Sequence, residues 1–408
     1  MVGPLSNSVF LNRKTPPRLL TLTLLTGLSA LTLNLMLPSL PQMALYFDVP
    51  YGLMQLAVSL YLALSAVVQV VIGPVSDRFG RRPVVLGALA VFLLATVGTL
   101  LAPNATVFLA FRMVQAVVTA GMVLSRAVVR DMVEGPRAAS MIGYVTMGMS
   151  LVPMIGPVLG GTLEEAFGWQ STFVMLLVLG LVVTALTWAD MGETATTAQR
   201  SFAQQIRLYP ALLGAGRFWA YCGVATFASG CFYAFLGGAP YVGNVVFGLG
   251  SAQVGLLFAI TALGYTIGNF LAGRFSRRVG LNRMVLIGTM VTTAGMLMLF
   301  AVTALGLSGA MVFFGLQVTM GLGNGIALPS ANAGILSVRP EFAGTASGLG
   351  GALMIGGGAG LAALAGALLP PGATEMPLVV LMLACSLASV LCILAVIRRA
   401  ARATLRAA

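Results

Sequence analysis

Histidine is absent from all 408 residues, and the chain holds only 10 carboxylates. Charged side chains make up 8% of it, where a soluble domain carries roughly 25%, so no water-facing globular surface can be built. Without histidine the commonest metal ligand and general base is gone. The acids (Asp48, Asp77, Asp131, Glu134, Glu164, Glu165, Asp190, Glu193, Glu341 and Glu375) fall in loops or near the ends of apolar stretches, and none pairs within one. A membrane-embedded enzyme is therefore disfavoured as a function class, and no metal or other cofactor is expected. "GLGNG" (321–325) and "GLGGALMIGGGAG" (348–360) lack the strand, helix and lysine of a phosphate loop. No ATP-binding domain is legible, so direct hydrolysis would have to come from a partner. The 4 cysteines, Cys222, Cys231, Cys385 and Cys392, sit in apolar segments at spacings that suit neither a disulfide framework nor a metal site. They read as small buried hydrophobes.

What is present is apolar length. Hydrophobic residues make up 59% of the chain, mean hydropathy is +0.99, and residues 84–102 and 284–338 carry no charge. A bilayer span needs about 20 such residues. Breaks at glycine, proline and charge give twelve spans: 18–38, 53–74, 84–102, 106–129, 139–163, 171–190, 216–238, 252–274, 284–303, 307–330, 342–366 and 377–397. The first begins behind Arg13, Lys14 and Arg18 without a small-residue cleavage site, unlike a signal peptide. With the N-terminus cytoplasmic, the inner segments hold 21 of the 22 Lys and Arg, and the outer loops hold acids alone. That asymmetry is the positive-inside rule, and it places both termini in the cytoplasm of a bacterial cell with the chain in its inner membrane. The basic excess reports topology and contact with anionic lipid head groups rather than a nucleic-acid partner.

The longest polar stretch, "GETATTAQRSFAQQIRLYP" (192–210), divides six spans from six. The expected organisation is a six-helix half over 1–191, a cytoplasmic linker over 192–214 with a short amphipathic helix near "AQQIRLYPALL", and a second half over 215–408. "GPVSDRFGRRPVVL" from Gly73 and "GRFSRRVGLNRMVL" from Gly273 lie 200 residues apart and coincide at six of fourteen positions. Both are read as the inner loop between the second and third spans of their half. The arginines there fix topology. Gly73 and Gly80 allow tight turns, and Asp77, Arg78, Arg81 and Arg278 form a conformational latch between the halves on the inner side. The alternative is that these arginines are topology signals only.

Four stretches carry a family resemblance: "GPVSDRFGRRP", "FRMVQAVVTAGMVLSRAVVRD", "SLVPMIGPVLGG" and "LNLMLPSLP". The chain resembles the major facilitator superfamily throughout, and most closely the Bcr/CflA-type drug exporters, which include chloramphenicol and florfenicol exporters. The resemblance implies an all-α membrane protein of twelve transmembrane helices in two pseudo-symmetric six-helix bundles. It implies a monomer that exports small amphipathic molecules such as phenicols by alternating access, with protons as the counter-substrate. Export of a specific metabolite, or weakly coupled facilitation, is the alternative.

Arg112 is the one basic residue assigned to depth in a span, where charge costs about 2.5–3.5 kcal/mol and marks function. The alternative is snorkelling to the outer head groups. Gln115 follows on nearly the same face. Within the resembled family this arginine governs an acid in the first span, commonly four residues before a proline. This chain has Asn34 before Pro38. Asparagine does not titrate, so the usual proton carrier is missing, and Asp131, Glu164 or Asp77 is left to take its place. Asn34 lies at nearly the depth of Arg112, and the two are expected to be able to meet. Pro153 and Pro157 bend the fifth span, while Gly156, Gly160 and Gly161 allow close helix approach in a dry seam. Met147, Tyr233 and Tyr265 complete the candidate substrate contacts, with ordinary packing as the alternative for each.

Overall fold

A computed structural model describes residues 8–133, 136–195, 214–338 and 343–407. Among these, every regular element is helical: α1 (Leu19–Asn34), α2 (Leu40–Tyr46), α3 (Tyr51–Phe79), α4 (Arg81–Leu100), α5 (Ala105–Gln115), α6 (Thr119–Met132), α7 (Pro136–Phe167), α8 (Gln170–Asp190), α9 (Gly216–Tyr241), α10 (Ser251–Val279), α11 (Leu281–Ala304), α12 (Ala310–Ser337), α13 (Ala343–Ala367) and α14 (Met376–Ala407). Hydrocarbon offers no water to backbone amides, so each must bond within its own segment, and helices result. Among the described residues, 11 helical stretches are long and apolar enough to cross a bilayer. Helices α1 and α2 form one of them through a tight turn at Leu37–Ser39, and α5 with α6 another through Ala116–Val118. The 32-residue α7 stands beside these eleven. The expected linker helix lies outside the described residues.

The repeated loop is mostly not a loop. Residues 73–79 continue α3 with Pro74 inside it, and the turn is made at Gly80. Gly80 has φ 94° and ψ 151°, and Gly280 has φ 86° and ψ 150°. Each donates its N–H to a serine carbonyl four residues back, Ser76 and Ser276, at 2.9 Å. These backbone values suit glycine alone. Gly73 turns nothing; it lies inside the helix with open space beside it. The same repeat recurs among aromatics, where Phe47 meets Phe108 at 5.5 Å and Phe247 meets Phe313 at 5.9 Å.

One end of the molecule carries Arg78, Arg81, Arg82, Arg274, Arg278 and Arg283, and the other carries Asp48, Glu164, Glu165 and Glu375. We call them the basic and the acidic end. Helices before the linker meet those after it chiefly through α3 on α13 and α7 on α10. The α3–α13 seam loosens along its length. At the acidic end a Cβ on Gly52 would stand 3.1 Å from the Gly366 carbonyl oxygen. Further along, one on Gly356 would meet Ala66 at 3.9 Å, and beside Gly73 and Gly348 there is nothing within 4 Å.

At the basic end, Asp190 closes α8 onto the N-terminal segment. Its carboxylate accepts from the Leu11 and Arg18 amides at 2.9 Å each and from the Thr21 hydroxyl at 2.6 Å. The Arg18 amide opens α1, where an anion is favoured by the helix dipole. Asp190 is 0% exposed, so its carboxylate has no water to fall back on. Asp190→Ala is expected to cost roughly 3–5 kcal/mol, since hydrogen bonds to a buried charge contribute about 1.5–3 kcal/mol each and do not add fully. Thermal unfolding in detergent checks this, and an unchanged midpoint would remove Asp190 from the fold's supports.

Candidate functional site

Arg112 lies two turns into α5 and is 0% exposed. Its guanidinium donates to the Thr32 carbonyl and the Gln115 amide oxygen at 2.8 Å each, and to the Ala57 carbonyl at 3.3 Å, with Tyr61 beneath it at 4.3 Å to the ring centroid. Gln115 in turn donates to the Thr96 hydroxyl at 2.8 Å. Four helices, α1, α3, α4 and α5, meet in this node. Thr32 belongs to the last turn of α1, whose carbonyls carry the negative end of the helix dipole. The positive charge thus rests on backbone dipoles and an aromatic face. Burial and bonding of this kind exclude snorkelling.

Asn34 does not join the node. Its amide donates back to the Ala30 carbonyl at 2.8 Å, and its body faces Gly156 of α7, where a Cβ would stand 3.0 Å from its own. Two positions separate it from Thr32, which rotates it onto a different face of α1. The carbonyl oxygen of Asn34 is buried without a partner among the described residues.

Of Gly156, Gly160 and Gly161, expected in a seam between the halves, the last alone meets a helix beyond the linker, and the other two meet α1 and the bend after it. Gly160 abuts the Leu35 carbonyl of the bend after α1, Gly161 abuts the Ser251 carbonyl, and Gly255 of α10 abuts the Pro157 carbonyl. Helix α7 is thereby pressed between α1 and α10 at backbone distance. Pro153 and Pro157 both lie within the helix. Gln55, one turn into α3, was missed. It is wedged against Gly237 and Gly366, is 0% exposed, and has neither amide atom partnered among the described residues. As the only amide in "YGLMQLAVSLYL" it was visible, but nothing in the sequence says that it faces the seam.

At the acidic end the same seam is clasped by carboxylates. Glu165, at the end of α7, accepts from the Ala252 amide in the first turn of α10 at 3.2 Å, a favourable place for an anion. The Ser251 hydroxyl lies between Glu164 and the Pro38 carbonyl, 3.3 Å from the latter. Burial pushes the Glu164 carboxyl above its ordinary range; the Ser251 hydroxyl opposes this and the charge of Glu165 adds to it. In an opened seam Glu164 would be hydrated and titrate in its ordinary range. Protons therefore bind more tightly to the closed seam. Closure is disfavoured while Glu164 is ionised and strengthens as pH falls through the raised value toward the ordinary one. A distance measurement across the seam against pH should show this slope, and Glu164→Gln should flatten it. An unchanged slope in the variant would assign the dependence elsewhere.

At the basic end the expected latch is not engaged between the halves, where the seam is loose. Arg81 forms an ion pair with Asp77 and donates to Asp131 at 3.0 Å, both with nearly buried geometry on the arginine side. Asp77, Arg81 and Asp131 lie on α3, α4 and α6, so the relay ties helices that all precede the linker and does not bridge to the later ones. Arg278 is exposed and has no ion pair among the described residues, and Arg78 lies over Phe79 at 5.4 Å. The cap of α4 is Glu193, whose carboxylate accepts from the Arg81 and Arg82 amides at 2.8 and 3.2 Å. Asp131, offered above as a proton carrier, is committed to Arg81.

Tyr233 and Tyr265 are half-buried, with Tyr233 packed on Gly358. Met147 lies on α7, and its side chain is outside the described residues. A groove of about 550 Å³ between Leu368 and Ala384 has only Thr374 as a polar side chain and shares no residue with these features.

The family model described as Major Facilitator Superfamily matches residues 22–363. Among curated proteins, the chain is 30% identical over 361 residues to multidrug resistance protein D of Escherichia coli, covering 86% of this chain and 89% of that one. It is 29% identical to the chloramphenicol resistance protein of Pseudomonas aeruginosa, covering 80% and 79%. It is 27% identical to the bicyclomycin resistance protein homolog of Haemophilus influenzae, covering 91% and 94%. Among solved structures, a D-xylose–proton symporter superposes with a TM-score of 0.75 at 15% identity, covering 93% and 96%. That likeness concerns the fold alone.

Proposed function

Because the chain belongs to the Major Facilitator Superfamily, we propose that this membrane-spanning transporter is a secondary active exporter of small amphipathic molecules, phenicols among them, working by alternating access. Its helices are read as twelve spans in two six-helix halves, with α7 as the twelfth. The basic end faces the cytoplasm of a bacterial inner membrane and holds both termini. The observation that carries this reading is the seam, pressed to backbone contact at the acidic end and loosening toward the basic end, as expected of a carrier closed to the outside. Relatives named for multidrug, chloramphenicol and bicyclomycin resistance support drug efflux as the direction.

Proton antiport is the proposed coupling. Its support is the Glu164 clasp, whose proton-bound form favours the outward-closed seam, the sign an importer of protons requires. Weakly coupled facilitation is favoured by a different observation, that Arg112 has no carboxylate partner among the described residues. The test is accumulation of chloramphenicol and florfenicol in a drug-hypersensitive bacterial host expressing the chain, with and without a protonophore. Lowered accumulation that the protonophore restores is expected. Lowered accumulation that ignores the protonophore would leave export without proton coupling, and unchanged accumulation would reject phenicols as substrates.

A further inference from the structure

The two turns that share a backbone differ in charge balance. At the α3–α4 turn, Arg81 is held by Asp77 and Asp131, and Glu193 sits on the amides that follow. At the α10–α11 turn, Arg277 stands where Asp77 stood and Leu281 where Arg81 stood, so two of the relay's three members are gone. Arg274, Arg278 and Arg283 are exposed, and none forms an ion pair or hydrogen bond among the described residues. After residue 214 the only acids in the sequence are Glu341 and Glu375, and Glu375 belongs to the acidic end. The carbonyl oxygen of Asn282, the other polar side chain at this corner, is taken by the Tyr221 hydroxyl. Among the described residues, the C-terminal turn therefore has an uncompensated basic cluster where its counterpart is neutralised from within.

The cluster continues an apolar stripe. Leu263, Ile267, Phe270, Arg274 and Arg278 follow one another at intervals of three and four residues, which puts them on one face of α10. The first three are 50%, 53% and 67% exposed. A face that is apolar over two turns and cationic over the next matches an amphiphile with acyl chains and an anionic head. A free anion would have no use for the stripe. We propose that the α10–α11 turn binds the phosphate of an anionic phospholipid, which supplies the counter-charge that Asp77 and Asp131 supply at the α3–α4 turn. The acyl chains lie along Leu263, Ile267 and Phe270.

The test uses the full chain in nanodiscs of phosphatidylcholine, with and without phosphatidylglycerol. It reads retained lipid by native mass spectrometry and stability by thermal unfolding. Phosphatidylglycerol is expected to be retained and to raise the unfolding midpoint. The triple variant Arg274→Gln, Arg278→Gln, Arg283→Gln should lose both effects, with retention falling about fivefold per arginine, the factor that roughly 1 kcal/mol per basic group at an anionic surface amounts to. Arg78→Gln, at the other turn, should leave retention as it is. Should the triple variant fail to insert, Arg278→Gln alone serves, with its topology checked by a reporter fusion. Unchanged retention in the arginine variants, an equal loss in Arg78→Gln, or displacement of the lipid by inorganic phosphate would each overturn the proposal.

Discussion

Arg112→Ala is expected to bring transport to background while the protein still inserts and folds. The guanidinium is the hub through which α1, α3 and α5 are joined, and charge-assisted hydrogen bonds contribute about 1.5–3 kcal/mol each. Its loss leaves Gln115 with an unpaired amide oxygen and Tyr61 without a cation over its ring. The carbonyls of Thr32 and Ala57 keep their places in helices, so the fold has other supports and the node does not. Arg112→Lys separates charge from geometry: an ammonium keeps the charge but cannot span Thr32, Ala57 and Gln115 from one planar fork. Transport by the lysine variant should be a small fraction of wild type. The measurements are substrate flux in vesicles and thermal unfolding of the same preparations. Normal flux in Arg112→Ala would make the node a packing feature, and a collapse of folding with no separate effect on flux would make it a structural one.

Gly161→Ala should be nearly as damaging, through geometry alone. A single methyl at that position runs into the Ser251 carbonyl and the backbone of Ala252. Backbone cannot swing aside as a side chain can, so α7 and α10 must separate. Overpacking of this kind costs about 1–3 kcal/mol, and the cost falls on the closed seam only, because the opened one has room. At 1.4 kcal/mol per factor of ten, the population of the closed state drops by up to about a hundredfold. Transport should fall in parallel, while a cysteine placed beside the seam becomes reactive to reagents added at the acidic end. Gly87→Ala, where nothing lies within 4 Å, is the control and should transport normally. Normal transport with an unreactive seam in Gly161→Ala would show that the closure tolerates a methyl group.

Much of this was legible in residue order. The long uncharged stretches, the arginine asymmetry and the recurrence of Gly80 at Gly280 are local patterns, and local patterns survive folding. Arg112 stood out because charge inside an apolar run is costly, and it is buried. Gly160 and Gly161 were readable because small residues in a row mean close approach. What escaped depends on contacts between distant positions. Glu193 caps a helix 111 or more residues away in sequence, and Asp190 reaches residues separated from it by 169 to 179 positions; neither has a spacing that announces it. The relay around Arg81 was not legible for a related reason. Repetition of the glycine turns suggested repetition of the chemistry, yet Leu281 and Arg277 break the relay in the second copy. Asn34 was misplaced because equal depth was taken for contact, while two residues on a helix turn a side chain through more than half a circle.

Gln55 gives the seam a time constant. In the closed form its amide is buried, with no partner among the described residues for the hydrogen bonds it gave up, at a cost of about 1–3 kcal/mol. Opening hydrates it and releases that energy, so the closed form is the loaded position of a catch. A leucine at the same place would fit the wedge between Gly237 and Gly366 and hold it longer. A carrier that must reopen in every cycle gains more from an easily tripped catch than from a tight one, and dwell time, rather than strength, is what this buried amide is expected to set.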